Sequence, residues 1–232
     1  VLPAAAHRRW VERGELDADD RAALVARAAR LRAPLAVRSS AADEDAGDRS
    51  AAGQYESVMG VDGEDALVAA VEACYRAAES ARARAYRGEA AGGARIALVI
   101  QEEVRAGRAG VAFSADPVTG SEEAILVEAV FGHGEGIVAG EVTPDRYRIG
   151  RRDRAVRARR ADKRAMSDGR GALRPVAPER RLARVLGDDE ARAVAALVER
   201  AEAGFGRPVD VEFCFDARRL WAVQCRPITT LA

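Results

Sequence analysis

The strictest constraint on this chain is the alternation in residues 210 to 226, Asp210-Val-Glu-Phe-Cys-Phe-Asp-Ala-Arg-Arg-Leu-Trp-Ala-Val-Gln-Cys-Arg. Side chains two apart share a face of a strand. Asp210, Glu212 and Cys214 therefore point one way, and Val211, Phe213 and Phe215 the other. A polar stretch near Asp216 to Arg218 reads as the turn of a hairpin. On the return strand Leu220, Ala222, Gln224 and Arg226 share one face, and Trp221, Val223 and Cys225 the opposite one. A three-residue turn then sets Asp210 opposite Gln224 and Phe213 opposite Trp221. One face is apolar and suits a core. The other gathers two carboxylates, a carboxamide and a guanidinium, a set that suits Mg2+ and the phosphate oxygens it bridges. The same residues also suit an Asp–Arg or Glu–Arg surface pair. The stretch alone leaves both readings open.

The rest of the chain alternates helical and strand-like segments, so the fold class is mixed α and β. Asp17 is placed to cap a helix with an apolar stripe of Leu24, Ala28 and Leu31, which Pro34 ends. Leu35-Ala-Val-Arg begins a short buried strand, and the small polar run from Ser39 to Ser57 reads as a loop. A helix is expected from Gly63 to about Gly88, its inner face formed by Leu67, Val71, Cys74 and Ala78. Strands are expected at Ile96–Gln101, Gly110–Ser114 and Ala124–Val130, the last two joined by the turn Asp116-Pro-Val-Thr-Gly. A hairpin is expected from Asp145 to about Arg160 and an irregular stretch from Ser167 to Pro178. A helix capped by Asp188 or Asp189 then runs to about Gly204.

A length of 232 residues allows one large domain or two small lobes. The 37 Lys and Arg residues balance 37 Asp and Glu residues, so bulk charge makes no case for nucleic acid or an anionic membrane. No apolar run is long enough for a membrane helix. Cys74, Cys214 and Cys225 form no CxxC pair, which fits neither zinc nor a disulfide framework and suits a reducing cytoplasm. Lys163 is the single lysine. The sequence starts at Val1 without a methionine, and an upstream piece is expected.

Four further features have competing readings. Arg38 ends a strand before a run of small residues, whose backbone N–H groups and the guanidinium could hold an anion. Asp43, Glu44, Asp45 and Asp48 make the same run acidic, as a solvated loop would be. Gly132-His-Gly-Glu-Gly lacks the GxGxxG spacing of a dinucleotide loop, and His133 reads as structural. The basic run from Arg148 to Arg164 reads as a solvated edge hairpin rather than an RNA surface. Cys225, on the core face, reads as packing rather than as a reactive thiol.

Several motifs carry a family resemblance. Val37-Arg-Ser-Ser-Ala-Ala-Asp-Glu-Asp with Ala52-Gly-Gln-Tyr-Glu-Ser resembles the nucleotide-binding domain of the phosphoenolpyruvate synthase and pyruvate phosphate dikinase family, which includes rifampin phosphotransferase. Gly110-Val-Ala-Phe-Ser-Ala-Asp-Pro-Val-Thr-Gly, Gly140-Glu-Val-Thr-Pro-Asp-Arg-Tyr and Gln224-Cys-Arg-Pro-Ile-Thr-Thr-Leu match it in the same order. The resemblance implies a single ATP-grasp-like nucleotide-binding domain over residues 1–232, α+β with mainly antiparallel sheets, with approximate lobes 1–90 and 91–232. It implies ATP and Mg2+ held between them. Arg38 would contact the phosphates, the loop bearing Gly53 and Ser57 would close over them, and Gln101 would lie by the adenine. Glu212, Gln224 and Arg226 would hold metal and phosphates, with Arg38 and Arg226 the catalytic cations and Glu212 and Gln224 the metal ligands.

The reaction the resemblance implies cleaves ATP to AMP and passes the β-phosphoryl group to a histidine on a swivelling domain. That histidine delivers it to pyruvate or to an antibiotic hydroxyl. The swivelling and acceptor domains would be partners in cis or in trans. The family normally opens with a Gly-Gly-Lys segment, just upstream of where Val1 to Trp10 would fall. Glu103 stands where an apolar residue is usual, and His133 where leucine is common. A non-catalytic nucleotide-binding or scaffold module of the same fold is the alternative.

Overall fold

The structure, a computed structural model, describes residues 1–41, 57–80, 96–217 and 219–228, though not the side chains of Ala41 and Val138. The fold is mixed α+β with antiparallel sheets, and the chain divides into two compact units, Val1–Glu103 and Val104–Ala232.

The first unit is built on a three-stranded sheet in the order β2-β1-β3: β1 (Leu35–Ala41), β2 (Ser57–Val61) and β3 (Ile96–Glu102). Because β3 pairs with β1 over seven residues, the division falls at Glu103 and not near residue 90. Leu35, Val37, Val58, Val61, Ile96, Leu98 and Ile100 face one side and build the core with the helices α1 (Ala4–Arg13), α2 (Ala18–Ala28) and α3 (Glu64–Ala78). Asp17 caps α2 as expected, its carboxylate accepting the Asp19 and Asp20 N–H groups at 2.9 and 3.1 Å. The expected α3 stripe of Leu67, Val71, Cys74 and Ala78 is buried. This helix ends at Ala78, short of the expected Gly88; residues 81–95 lie outside those described.

Two elements of this unit depart from the expected loop. Ser39, Ser40 and Ala41 continue β1, because their backbones pair with Leu98, Ala97 and Ile96. Ser57 opens β2 instead of ending the loop. The helix α1 was not expected at all; Gly14, at φ 79°, closes it by donating its N–H to the Trp10 carbonyl.

The second unit holds a six-stranded antiparallel sheet in the order β11-β10-β4-β5-β6-β7. Its strands are β4 (Arg108–Phe113), β5 (Ala124–Phe131), β6 (Asp145–Gly150), β7 (Val156–Arg159), β10 (Val209–Phe215) and β11 (Leu220–Pro227). One short helix, α4 (Glu135–Val138), follows β5. The long helix α5 (Asp188–Phe205) lies across one face, where Val194, Ala195 and Val198 meet Ile125, Val127, Val211 and Phe213. Its cap is Gly187, whose N–H donates to Glu190 at 2.9 Å, and not Asp188 or Asp189, which fall in the first turn. The stretch expected to be irregular forms a small hairpin, β8 (Ala165–Ser167) with β9 (Leu173–Pro175). Its register, and the approach of Ser167 to Gly132 and His133, lie beyond any local pattern. The expected hairpin from Asp145 is β6–β7, at the sheet edge.

Candidate functional site

In the terminal hairpin Phe215 pairs with Leu220, so four residues form the turn instead of three. Asp216 organises it, accepting from the Arg219 N–H at 2.7 Å and the Trp221 indole N–H at 2.9 Å. A four-residue turn by itself would set Glu212 opposite Val223. A bulge intervenes: Phe213 pairs with Ala222, while Glu212 pairs with Gln224 and Asp210 with Arg226. One extra residue on β11, Val223, thus returns Gln224 and Arg226 to the carboxylate face.

The expected pairing is corrected in two places. Asp210 stands opposite Arg226 and not Gln224, and Phe213 stands opposite Ala222 and not Trp221. The bulge also splits the face assignment of β11. Ala222 and Leu220 lie on the side of Phe213 and Phe215, whereas Trp221 pairs with Cys214 on the open side and is 37% exposed. The grouping that mattered most, Asp210, Glu212, Gln224 and Arg226 on one face, is present.

Within this group Arg226 Nε donates to both oxygens of Asp210, at 3.0 Å each. The arginine is 29% exposed and the aspartate 14%, so this ion pair is partly shielded from water and holds the guanidinium in place. Glu212 and Gln224 are half-buried neighbours on adjacent strands. Cys225 lies on the opposite face against Val211, and burial, with the Asp210 charge second, raises its thiol pKa above the usual value. It is packing, as expected. Burial likewise pushes Cys214 up to about 11.

In the first unit the sheet has a polar face opposite its core. Arg38 pairs with Ser57 on one side and Val99 on the other, and Ala36 pairs with Gln101. Arg38, Ser57 and Gln101 therefore share that face, with Arg38 and Gln101 half-buried and Ser57 exposed. Gly53 lies outside the described residues. Glu103 is bonded to its own unit, its carboxylate accepting the Gly60 N–H. His133 is wedged beneath Gly169, where a Cβ would come within 2.5 Å of the imidazole, which is the structural role expected of it.

Among the described residues no group of three or more His, Cys, Asp or Glu side chains is placed to hold a metal by itself. Mg2+ takes one or two carboxylates and completes its octahedron with phosphate and water. Glu212 and the Gln224 amide oxygen supply hard oxygen donors of this kind side by side, so the residues fit the ion. No helix among the described residues is long and apolar enough to cross a membrane.

The family model described as pyruvate phosphate dikinase, AMP/ATP-binding domain, matches residues 5–232. The chain belongs to this family. Among curated relatives, a probable phosphoenolpyruvate synthase of Archaeoglobus fulgidus is 40% identical over 204 residues, 85% of this chain and 27% of that protein. A rifampicin phosphotransferase of a Streptomyces species is 37% identical over 206 residues, 86% of this chain and 24% of that protein. The prodigiosin synthesizing transferase PigC of Serratia marcescens is 36% identical over 205 residues, 86% of this chain and 23% of that protein. The chain spans about a quarter of the length of these relatives.

Proposed function

We propose that this chain is the ATP-binding part of a dikinase-type phosphotransferase, one that cleaves ATP to AMP and passes the β-phosphoryl group to a histidine. The histidine would sit on a swivelling domain, in cis or in trans, and deliver the group to an acceptor such as pyruvate or an antibiotic hydroxyl. The observation that carries this reading is the cross-strand pair Glu212–Gln224 beside the Asp210–Arg226 ion pair, in a chain of the AMP/ATP-binding family.

Glu212 and Gln224 are the proposed Mg2+ ligands, and Arg226 meets phosphate charge that the metal leaves unbalanced. When bound, Mg2+ would neutralise charge on the phosphates. In the first unit Arg38 is the proposed phosphate contact, Gly53 and Ser57 the closing loop, and Gln101 the adenine neighbour. Phosphoryl transfer draws mainly on positioning and charge stabilisation, so fixed guanidiniums are what this part of the enzyme must contribute. The Asp210 clamp on Arg226 provides one such fixed charge.

A surface ion pair between Glu212 and Arg226 is the rival account of the hairpin. Arg226 Nε donates to Asp210, which is the Asp–Arg form of the surface pair that these residues also suit. Glu212→Gln separates the two. A ligand role requires MgATP affinity to fall with folding stability nearly unchanged, and a surface pair requires neither. Calorimetric titration showing parental MgATP affinity in this variant removes Glu212 from the metal site.

A binding module without turnover is the second reading. Lys163, the only lysine, is buried in an ion pair with Asp145, so the cations these residues offer to phosphate are arginines. Mass spectrometry of ATP products from the full-length protein decides between them. AMP supports the dikinase reading; ADP alone, or unchanged ATP, overturns it.

A further inference from the structure

The register of the six-stranded sheet sets its open face in two rows. One row runs Arg226, Asp210, Phe113, Leu126, Arg148, Arg157; the other runs Gln224, Glu212, Val111, Glu128, Arg146, Arg159. The nucleotide groups proposed for the second unit, Glu212, Gln224 and Arg226, occupy the β10–β11 end. The opposite end, on β6 and β7, carries a two-by-two array of arginines. Arg146 stands directly opposite Arg159, and Arg148 directly opposite Arg157. Like charges in directly opposed positions destabilise an antiparallel pair, so the array works against the pairing of its own sheet.

The carboxylates nearby offset only part of this charge. Glu128 pairs with Arg146 at 2.8 Å, and Glu123, itself 84% exposed, reaches Arg148 at 3.5 Å. Asp116 turns inward on its own loop, accepting the Val118 and Thr119 N–H groups at 2.9 and 3.2 Å. Arg157 and Arg159 are exposed, and neither has a carboxylate within ion-pair distance among the described residues. Beside the array Phe113 and Leu126 are half-buried, and Val118 projects from the loop at 90% exposure. Together with Pro117 they line, beside the arginines, a groove of about 470 Å³. Small-molecule sites span roughly 300–1,000 Å³.

We propose that this groove is a second binding site, separate from the nucleotide groups, for an organic anion with a planar apolar body and a phosphate, sulfonate or carboxylate. The apolar body lies against Phe113, Leu126 and Val118, and the anionic group meets Arg148, Arg157 and Arg159. Planar guanidiniums suit both tasks, since they bond oxyanions in a fork and stack on flat rings. Three strand spacings separate β10 from β6, roughly 14 Å at the usual inter-strand distance, so the anionic end of the site lies away from Glu212, while its apolar end at Phe113 adjoins Asp210.

The probe is 1-naphthyl phosphate, titrated by calorimetry into the 232-residue chain at low salt, with and without saturating MgATP. Saturable binding in both conditions is expected. The double variant R157A/R159A, altered only at exposed positions of an edge strand, should weaken it by about tenfold or more and leave MgATP affinity unchanged. Inorganic phosphate and 1-naphthol should each bind far more weakly than the probe. No saturable binding, equal binding by inorganic phosphate, or an unchanged affinity in a folded double variant overturns the proposal. So does displacement of the probe by MgATP, or loss of MgATP affinity in R157A/R159A, either of which would make the groove part of the nucleotide site. Failure of MgATP to bind the parent chain would overturn the nucleotide reading and leave this one standing.

Discussion

Lys163, the single lysine, is committed to a buried ion pair. Its ammonium is 1% exposed and lies 2.6 Å from Asp145, which is fully buried, and it donates also to the Ala161 carbonyl at 2.9 Å. Asp145 in turn accepts the Ala161 and Val185 N–H groups at 2.8 and 2.9 Å. Removing one partner of such a pair leaves the other charged in a dry interior, which costs about 3–5 kcal/mol. Lys163→Met should lose that much in urea denaturation. A loss under about 1 kcal/mol, the range of surface pairs, would show that water reaches Asp145. Arg38 is half-buried on the polar face of the first unit's sheet. Losing one charge-assisted phosphate contact costs about 1.5–3 kcal/mol, roughly 10- to 150-fold in affinity. Arg38→Ala should weaken ATP binding by that factor with the melting temperature little changed; an unchanged dissociation constant takes Arg38 out of the site.

At the scale of elements, two glycines with opposite surroundings give a paired expectation. Gly110 on β4 lies between Phe213 and Ala129 in the sheet. A Cβ there would come within 2.1 Å of the Glu128 carbonyl and 2.6 Å of the Phe213 ring. Gly204, in the last turn of α5, has nothing within 4 Å of its would-be Cβ. Gly110→Ala should destabilise by about 1–3 kcal/mol through forced repacking. Gly204→Ala should stabilise by about 0.4–1 kcal/mol, because it restricts the unfolded chain at a helical position. A midpoint that does not fall for Gly110→Ala would refute the packing account of β4, and one that falls for Gly204→Ala would refute the helix account of α5. The same strands mark where sequence reading succeeds. Alternation in β10 found the apolar and carboxylate faces, since a period of two is a local property. It missed the Val223 bulge and the four-residue turn, which depend on how β11 meets its neighbour. It also put Ser57 at the end of a loop and left residues 58–61 unassigned, because Ser57-Val-Met-Gly-Val lacks alternation and becomes a strand by pairing with β1. Arg38 stood out from its place at a strand end before small residues, Ser57 and Gln101 only from the family motifs, and their common face comes from the strand pairing.

For the whole molecule, each of the two units carries its own core. The cluster centred on Val37, Leu98, Val71 and Tyr75 draws only on residues before 104. The cluster centred on Ile125, Val127, Val194, Val211 and Phe213 draws only on residues after it. All six strands of the large sheet, the helix across it and the Lys163–Asp145 pair fall within Val104–Ala232. A segment of this size buries enough apolar surface to fold alone, as domains of roughly 100–150 residues commonly do. The fragment 104–232 should therefore unfold cooperatively in urea. Lys163→Met should destabilise it by the same amount as in the full chain, because sites with no shared partners are additive. A fragment with no cooperative transition, or one in which the Lys163→Met cost differs by more than about 1 kcal/mol, would mean that the second core depends on residues 1–103.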